Sequence, residues 1–281
     1  MTLRRVVIRA LRLVALVYVG VLGTLVLFEK RFVYVPQATL DLTPKELGMS
    51  FEDVWLTADD GVRIHGWWLP SPSSARQTLL YCHGNAGNVS HRLDRVLYLQ
   101  ARLGFNVLLF DYRGYGLSAG SPDEEGTYRD ARAAYRHLRD VRGAAAENLV
   151  LFGESLGCAV ALQLASEVSS KALVLEAPFT SIRDMVRALF PVLPLAPFVR
   201  TRYDNLAKIQ RITVPLLIVH GERDGTVPFE QGRRLFEAAP EPKRFFSVPT
   251  AGHNDVYLVG GGAYWKTWRE FLDGAAMSEA H

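Results

Sequence analysis

Residues 149–168 read LVLFGESLGCAVALQLASEV, and the fold turns on them. Leu149–Phe152 is a short, wholly apolar run of the kind that forms a buried strand. Cys158–Val168 continues as an apolar-rich helical stretch. Between them stands Gly153-Glu154-Ser155-Leu156-Gly157, a Gly-x-Ser-x-Gly sequence at a strand-to-helix turn. There the spacing has a physical meaning. The serine sits on a sharp, strained turn, and the two glycines remove side chains that would strike neighbouring backbone. The helix N-terminus behind it offers partial positive charge to a developing oxyanion.

The surrounding pattern supplies the rest of a sheet. Short apolar runs at Thr78–Cys82, Val107–Phe110, Leu149–Phe152, Ala172–Leu175, Val214–Val219 and Arg244–Val248 alternate with amphipathic stretches such as 91–103 and 123–140. Strands apolar throughout, each followed by a helix, predict a mostly parallel sheet covered on both faces. Ahead of them, Ser50–Thr57 and Val62–Leu69 flank Ala58-Asp59-Asp60-Gly61, a hairpin signal. Residues 178–212 break the alternation with Pro191, Pro194 and Pro197 among Met185, Leu189, Phe190, Leu193, Leu195 and Phe198. This stretch reads as a helical crossover or a small helical cap. An apolar cap over the strand ends would bury acyl carbons at about 0.8 kcal/mol per methylene and favour longer chains.

With 281 residues, 49% hydrophobic and 22% charged, the chain is of ordinary globular composition, which excludes a disordered, collagen-like or disulfide-scaffold protein. The net charge of +3 is unevenly placed. Arg4, Arg5, Arg9, Arg12, Lys30 and Arg31 against Glu29 give residues 1–31 a charge of +5, leaving −2 on the remainder. The basic excess is therefore terminal, and no nucleic-acid-binding face is expected. Leu13–Phe28 is uncharged, and extended back to Val6, across Arg9 and Arg12, the stretch reaches about 34 Å as a helix, enough to cross a hydrocarbon core of about 30 Å with Arg12 snorkelling to the near interface. A cleaved signal peptide and a buried core helix are the competing readings. Phe28-Glu29-Lys30-Arg31 follows where small residues would mark a cleavage site, which favours a retained signal anchor over residues 1–31. Four arginines before the segment predict a cytoplasmic N-terminus, with residues 32–281 as an extracytoplasmic domain, periplasmic or extracellular.

A serine hydroxyl needs a base and an orienting acid, expected after later strands in the order acid, then histidine. Asp224 follows Val214–Val219 within HGERDGTVP, and His253 follows Arg244–Val248 within AGHND. Glu222 and Glu176 are the competing acids. Two backbone amides should form an oxyanion hole. Leu156, next to the serine, supplies one, and Asn85 in the loop His83-Gly84-Asn85-Ala86-Gly87-Asn88 supplies the other. His83 is expected to hold that loop rather than act as a second base, and Asp111 and Arg113 to form a structural brace. No side-chain cluster has metal-ligand spacing and no glycine-rich turn has nucleotide-binding spacing, so no metal and no cofactor are expected.

HGNAGN at 83–88, DYRGYGLS at 111–118, GESLG, HGERDGTVP and AGHND together resemble the α/β-hydrolase fold superfamily. Within it the chain is similar to membrane-anchored α/β-hydrolase-domain proteins whose eukaryotic members include depalmitoylating thioesterases. The resemblance covers about Phe32 to Leu272. It implies an α/β-hydrolase fold, Ser155, Asp224 and His253 as a catalytic triad, and Asn85 with Leu156 as the oxyanion hole. It also implies hydrolysis of a carboxylic ester or thioester of a small or lipid-like acyl substrate. The chain departs from those eukaryotic members in having an apolar helix where they carry a cysteine-rich, lipidated N-terminus. An amidase or peptidase using the same triad, or a membrane-tethered binding domain without activity, are the alternatives. The family's sheet order puts the strands of Cys82 and Cys158 side by side, and two buried free thiols are expected.

Overall fold

The computed structural model describes residues 3–73 and 77–278. Eight strands form one sheet: β1 (Glu52–Thr57), β2 (Arg63–Leu69), β3 (Thr78–Cys82), β4 (Asn106–Phe110), β5 (Leu149–Glu154), β6 (Ala172–Glu176), β7 (Leu216–Gly221) and β8 (Lys243–Val248). Their spatial order is β8-β7-β6-β5-β3-β4-β2-β1. Strands β3 to β8 run parallel, while β2 is antiparallel to both β4 and β1. The expected hairpin is thus the sheet's antiparallel edge. Val214 and Pro215 stand outside their strand, which begins at Leu216.

Burial on both faces explains the continuous apolar runs. Because successive side chains point to opposite faces, Leu80, Leu108, Leu151, Leu173 and Ile218 join one core, and Tyr81, Leu109, Phe152, Val174 and Val219 join the other. The first core is closed by α3 (Glu124–Arg136), α4 (Leu156–Ala165) and α7 (Phe229–Ala238). The second is closed by α2 (Leu93–Leu103) and α9 (Gly261–Ser278), whose Trp268 is fully buried against Phe105 and Phe152. Helix α3 starts as its sequence dictates, with the Asp123 side chain accepting from the Gly126 amide at 2.8 Å.

Two elements stand outside this layering. Helix α1 (Leu3–Val33) is longer than the apolar run, and none of its most hydrophobic 18-residue window, of mean hydropathy 2.3, is buried in protein. By length and composition it can cross a membrane. The other element, between β6 and β7, is a helical excursion. It contains α5 (Ile182–Leu189), a short 3₁₀ turn at Ala196–Phe198 and α6 (Asn205–Ile209).

Candidate active site

The turn from β5 into α4 is held from three sides. Ser155 adopts φ 53°, ψ −116°, a conformation that costs about 1–3 kcal/mol and persists only under external constraint. Its amide donates to the Glu176 carbonyl at 2.9 Å, and its carbonyl accepts from the Cys158 amide at 3.0 Å. The two glycines are required by space. A Cβ on Gly153 would lie 2.6 Å from Cys158 Cα, and one on Gly157 would fall on the Cys82 carbonyl. Cys82 and Cys158 are both free and buried, and the Cys158 thiol donates to the carbonyls of Gly153 and Glu176.

Three expected side chains meet at this turn. His253 Nε2 lies 3.0 Å from Ser155 Oγ, and its Nδ1 lies 2.7 Å from Asp224 Oδ2. Asp224 is fixed on its loop by the amides of Thr226 and Val227, each donating to Oδ1 at 2.8 Å. His220 adds a third contact, its Nε2 lying 3.0 Å from the Val227 carbonyl and 3.3 Å from Asp224 Oδ2. Burial works against the Asp224 carboxylate, but the hydrogen bonds from His220 and His253 outweigh it and hold its pKa well below the usual range. Burial likewise disfavours a charged His253. The hydrogen bond to Asp224 and the negative charges of Asp224, Glu154 and Glu176 overcome this and raise its pKa above the ordinary 6.5. With Nδ1–H given to Asp224, Nε2 is left as the acceptor facing the serine hydroxyl.

The competing acids are committed elsewhere. Glu222 is exposed, on a different surface groove. Glu176 is fully buried, ion-paired with Arg95 and accepting from the Tyr264 hydroxyl at 2.8 Å.

The loop after β3 packs against the turn, since a Cβ on Gly84 would lie 3.5 Å from Ser155 Cβ. Asn85 is locked in place. Its side chain donates to the Val33 carbonyl at 3.2 Å, while its own carbonyl accepts from the Val35 amide and the Tyr115 hydroxyl. Its amide has no acceptor among the described residues, and the Leu156 amide opens α4, where no preceding turn can accept it. His83 is buried, with Nδ1 at 2.7 Å from the Gly84 carbonyl and Nε2 at 3.3 Å from Asp111. It holds the loop, as expected. Asp111 also braces, accepting from the Val89 amide at 2.9 Å. Arg113 takes Asp130 and Asp60 as its ion partners rather than Asp111.

Sequence reasoning missed the charged cluster beside the serine. The cleft holding Ser155 and His253, about 540 Å³, is lined by several charged and polar residues, among them Arg92, Asp94, Arg95, Glu154 and Asn254, together with Tyr81 and Tyr257. Glu154 accepts from the Tyr81 hydroxyl. Burial pushes its carboxyl up, but the charges of Arg92 and Arg95 prevail and keep it below the usual range. The Arg95 guanidinium lies 3.9 Å from the centre of the Tyr257 ring. Only Glu154 carried a signal, as the residue before the serine, and nothing in the sequence said that it would be buried.

The apolar-cap expectation is corrected here. None of the apolar residues of 182–199 lines this cleft. Ile182, Val186, Leu195, Phe198 and Val199 face Leu22, Leu25, Val26 and Phe32 of α1 instead. These residues turn part of their apolar surface to another helix, and the cleft does not receive it.

Sheet order, turn and hydrogen-bonded chain define an α/β-hydrolase, and the chain belongs to that superfamily. The family described as serine aminopeptidase, S33, matches residues 73–207. An uncharacterized protein of Mycobacterium tuberculosis (strain ATCC 25618 / H37Rv) is 38% identical over 94% of each chain. The α/β-hydrolase domain-containing protein WAV2 of Arabidopsis thaliana is 36% identical over 92% of this chain and 91% of its own. Among solved structures, the esterase Pf2001 of Pyrococcus furiosus superimposes with a TM-score of 0.70 at 26% identity, covering 86% of this chain and 96% of that one. The protein is thus an α/β-hydrolase of the esterase/hydrolase type.

The raised His253 pKa sets an expected pH profile. A base must be unprotonated to accept a proton, so turnover should rise with pH through a midpoint above about 6.5. Asp224→Asn should lower turnover by roughly three to four orders of magnitude and move that midpoint down, because a negative charge beside the imidazole is gone. Glu222→Gln should change neither. Steady-state rates from pH 5 to 9 check all three, and a Glu222→Gln effect larger than that of Asp224→Asn would reassign the acid.

Proposed function

We propose that the protein is a membrane-anchored serine hydrolase that cleaves carboxylic esters or thioesters through an acyl-enzyme. The observation that carries this reading is the continuous chain from Ser155 Oγ through His253 to Asp224, at 3.0 and 2.7 Å. Ser155 attacks the acyl carbonyl as His253 Nε2 takes its proton. Asp224 keeps the imidazole oriented and supports its positive charge. The amides of Asn85 and Leu156 receive the oxyanion, a contribution worth about 3–4 kcal/mol per donor in comparable sites. His253 then returns the proton to the leaving group, and water repeats the sequence to release the acid.

Ser155→Ala should abolish labelling by a fluorophosphonate and lower ester turnover by several orders of magnitude, with the far-UV circular dichroism spectrum unchanged. Labelling that survives the substitution would assign the nucleophile to another serine, and absence of labelling in the wild type would favour a binding domain. The same groups can cut an amide, a reading supported by the description of the matching family. Parallel assays on an ester, a thioester and an aminoacyl anilide of equal size separate the two.

A polar cleft without the cap's apolar side chains points to short acyl groups. Acetyl and butyryl esters should be turned over about equally and longer chains more slowly, and Phe190→Ala should leave that profile unchanged. Rates that climb with each added methylene would restore an apolar acyl pocket.

Helix α1 is the proposed anchor, with the N-terminus in the cytoplasm and the hydrolase domain outside, as the arginines at 4, 5, 9 and 12 favour. Protease added to intact spheroplasts should digest the domain after Arg31. Digestion only after the membrane is broken would place the domain in the cytoplasm.

A further inference from the structure

We infer that the segment 188–199 is a second membrane-contact element, one that enters the same leaflet as the C-terminal half of α1. Ala188–Val199 reads ALFPVLPLAPFV, twelve residues without a polar side chain. Much of this segment's apolar surface is uncovered: Val192 is 88% exposed, and Leu189, Phe190, Leu193 and Phe198 are exposed with it.

The partner that covers this surface is identified by depth along α1. The Tyr18 hydroxyl donates to the Pro194 carbonyl at 3.2 Å. Tyr18 lies ten residues before Phe28, hence about 15 Å inward from the end of the uncharged run Leu13–Phe28. Leu22, Leu25, Val26 and Phe32 continue the same contact with Leu195, Phe198 and Val199 up to the domain. If the loop stood clear of lipid, Tyr18 would too. Even counted back to Val6, only Val6–Val17, about 18 Å as a helix, would then remain below the surface, too short to span. An α1 that crosses the bilayer therefore carries Pro191–Leu195 into it.

Charge and backbone chemistry agree. Glu29, Lys30 and Arg31 end the uncharged run on α1, and Arg187 and Arg200 bracket the apolar segment, so the ionic groups collect at one level. The Glu29 carboxylate accepts from the Arg200 amide at 3.0 Å, which ties the two borders together. Irregular backbone is costly in hydrocarbon unless its polar groups are satisfied. Here Pro191, Pro194 and Pro197 carry no N–H. The amides of Phe190, Leu193, Leu195, Phe198 and Val199 all donate to carbonyls of residues 186–196. That leaves the amides of Val192, at the tip of the turn, and of buried Ala196 without a backbone acceptor among the described residues.

The inference rests on α1 being a membrane anchor, and the test separates the two. The chain carries two cysteines, both buried, so single exposed cysteines can be labelled selectively. Leu16→Cys, Val192→Cys and Val141→Cys, each bearing an NBD fluorophore, are reconstituted into phosphatidylcholine vesicles containing lipids with a nitroxide on the headgroup or on the acyl chain. Val141, exposed at the end of α3 and outside the proposed contact, is the aqueous control. The expected result is loss of fluorescence to acyl-chain nitroxides at both Leu16 and Val192, and no loss at Val141. Quenching at Leu16 with none at Val192 would overturn the second contact and leave the anchor standing, pointing to a protein cover. No quenching at Leu16 would overturn the anchor and the inference with it.

Discussion

The close approach of Gly157 to the Cys82 carbonyl is the constraint on which the site depends. It lets α4 start immediately against β3, and it forces the chain between β5 and α4 through the strained conformation at Ser155. The strain is sustained by the Glu176 carbonyl of β6 on one side and the Cys158 amide of α4 on the other, so a neighbouring strand and the helix together over-determine the turn. The serine is presented at the sheet's C-terminal edge because the backbone has no other route. His253 and Asp224 reach it from the loops after β8 and β7, whose parallel register puts their ends at the same edge.

Beneath the turn lies a buried charge cluster whose members fix one another. Arg95 stands between Glu176 and Tyr257, and its positive charge also keeps Glu154 ionised despite burial. Glu176 takes the opposite course. Its burial raises the carboxyl above the usual range even with Arg95 alongside. Two carboxylates near one histidine feed back on chemistry, since both add to the field that raises His253. The cluster ties the electrostatics of the site to packing around α2 and α9.

The N-terminal helix is not a detached tether. Just past its end, Val35–Pro36 pairs with Ala86–Gly87, and the Val33 carbonyl accepts from the Asn85 side chain. The loop that presents the Asn85 amide is therefore braced by the segment leaving α1. Farther along, Tyr34 and Tyr203 join their hydroxyls at 2.9 Å, linking that exit to the excursion after β6. Position of the N-terminal helix and shape of the serine's surroundings are mechanically connected.

The sequence by itself determined what local chemistry can encode. Periodicity gave the strands of the sheet and the helices α2, α3 and α4 to within a few residues, but not α7 and α9. The glycines around Ser155 marked the turn, strand-end placement selected Asp224 and His253, and the uncharged run Leu13–Phe28 marked the long helix. These signals are short-range, so they survive in one dimension. Tertiary structure decided the pairings. Arg113 took Asp130 and Asp60, residues 17 and 53 positions away, while Asp111 braces the loop through the Val89 amide. Ile182, Val186, Leu195, Phe198 and Val199 turned to α1 instead of the cleft, because an apolar surface records only that it must be covered. Which surface covers it is settled by three-dimensional neighbours, since apolar attraction has no direction and a buried charge takes the partner that the fold brings within reach.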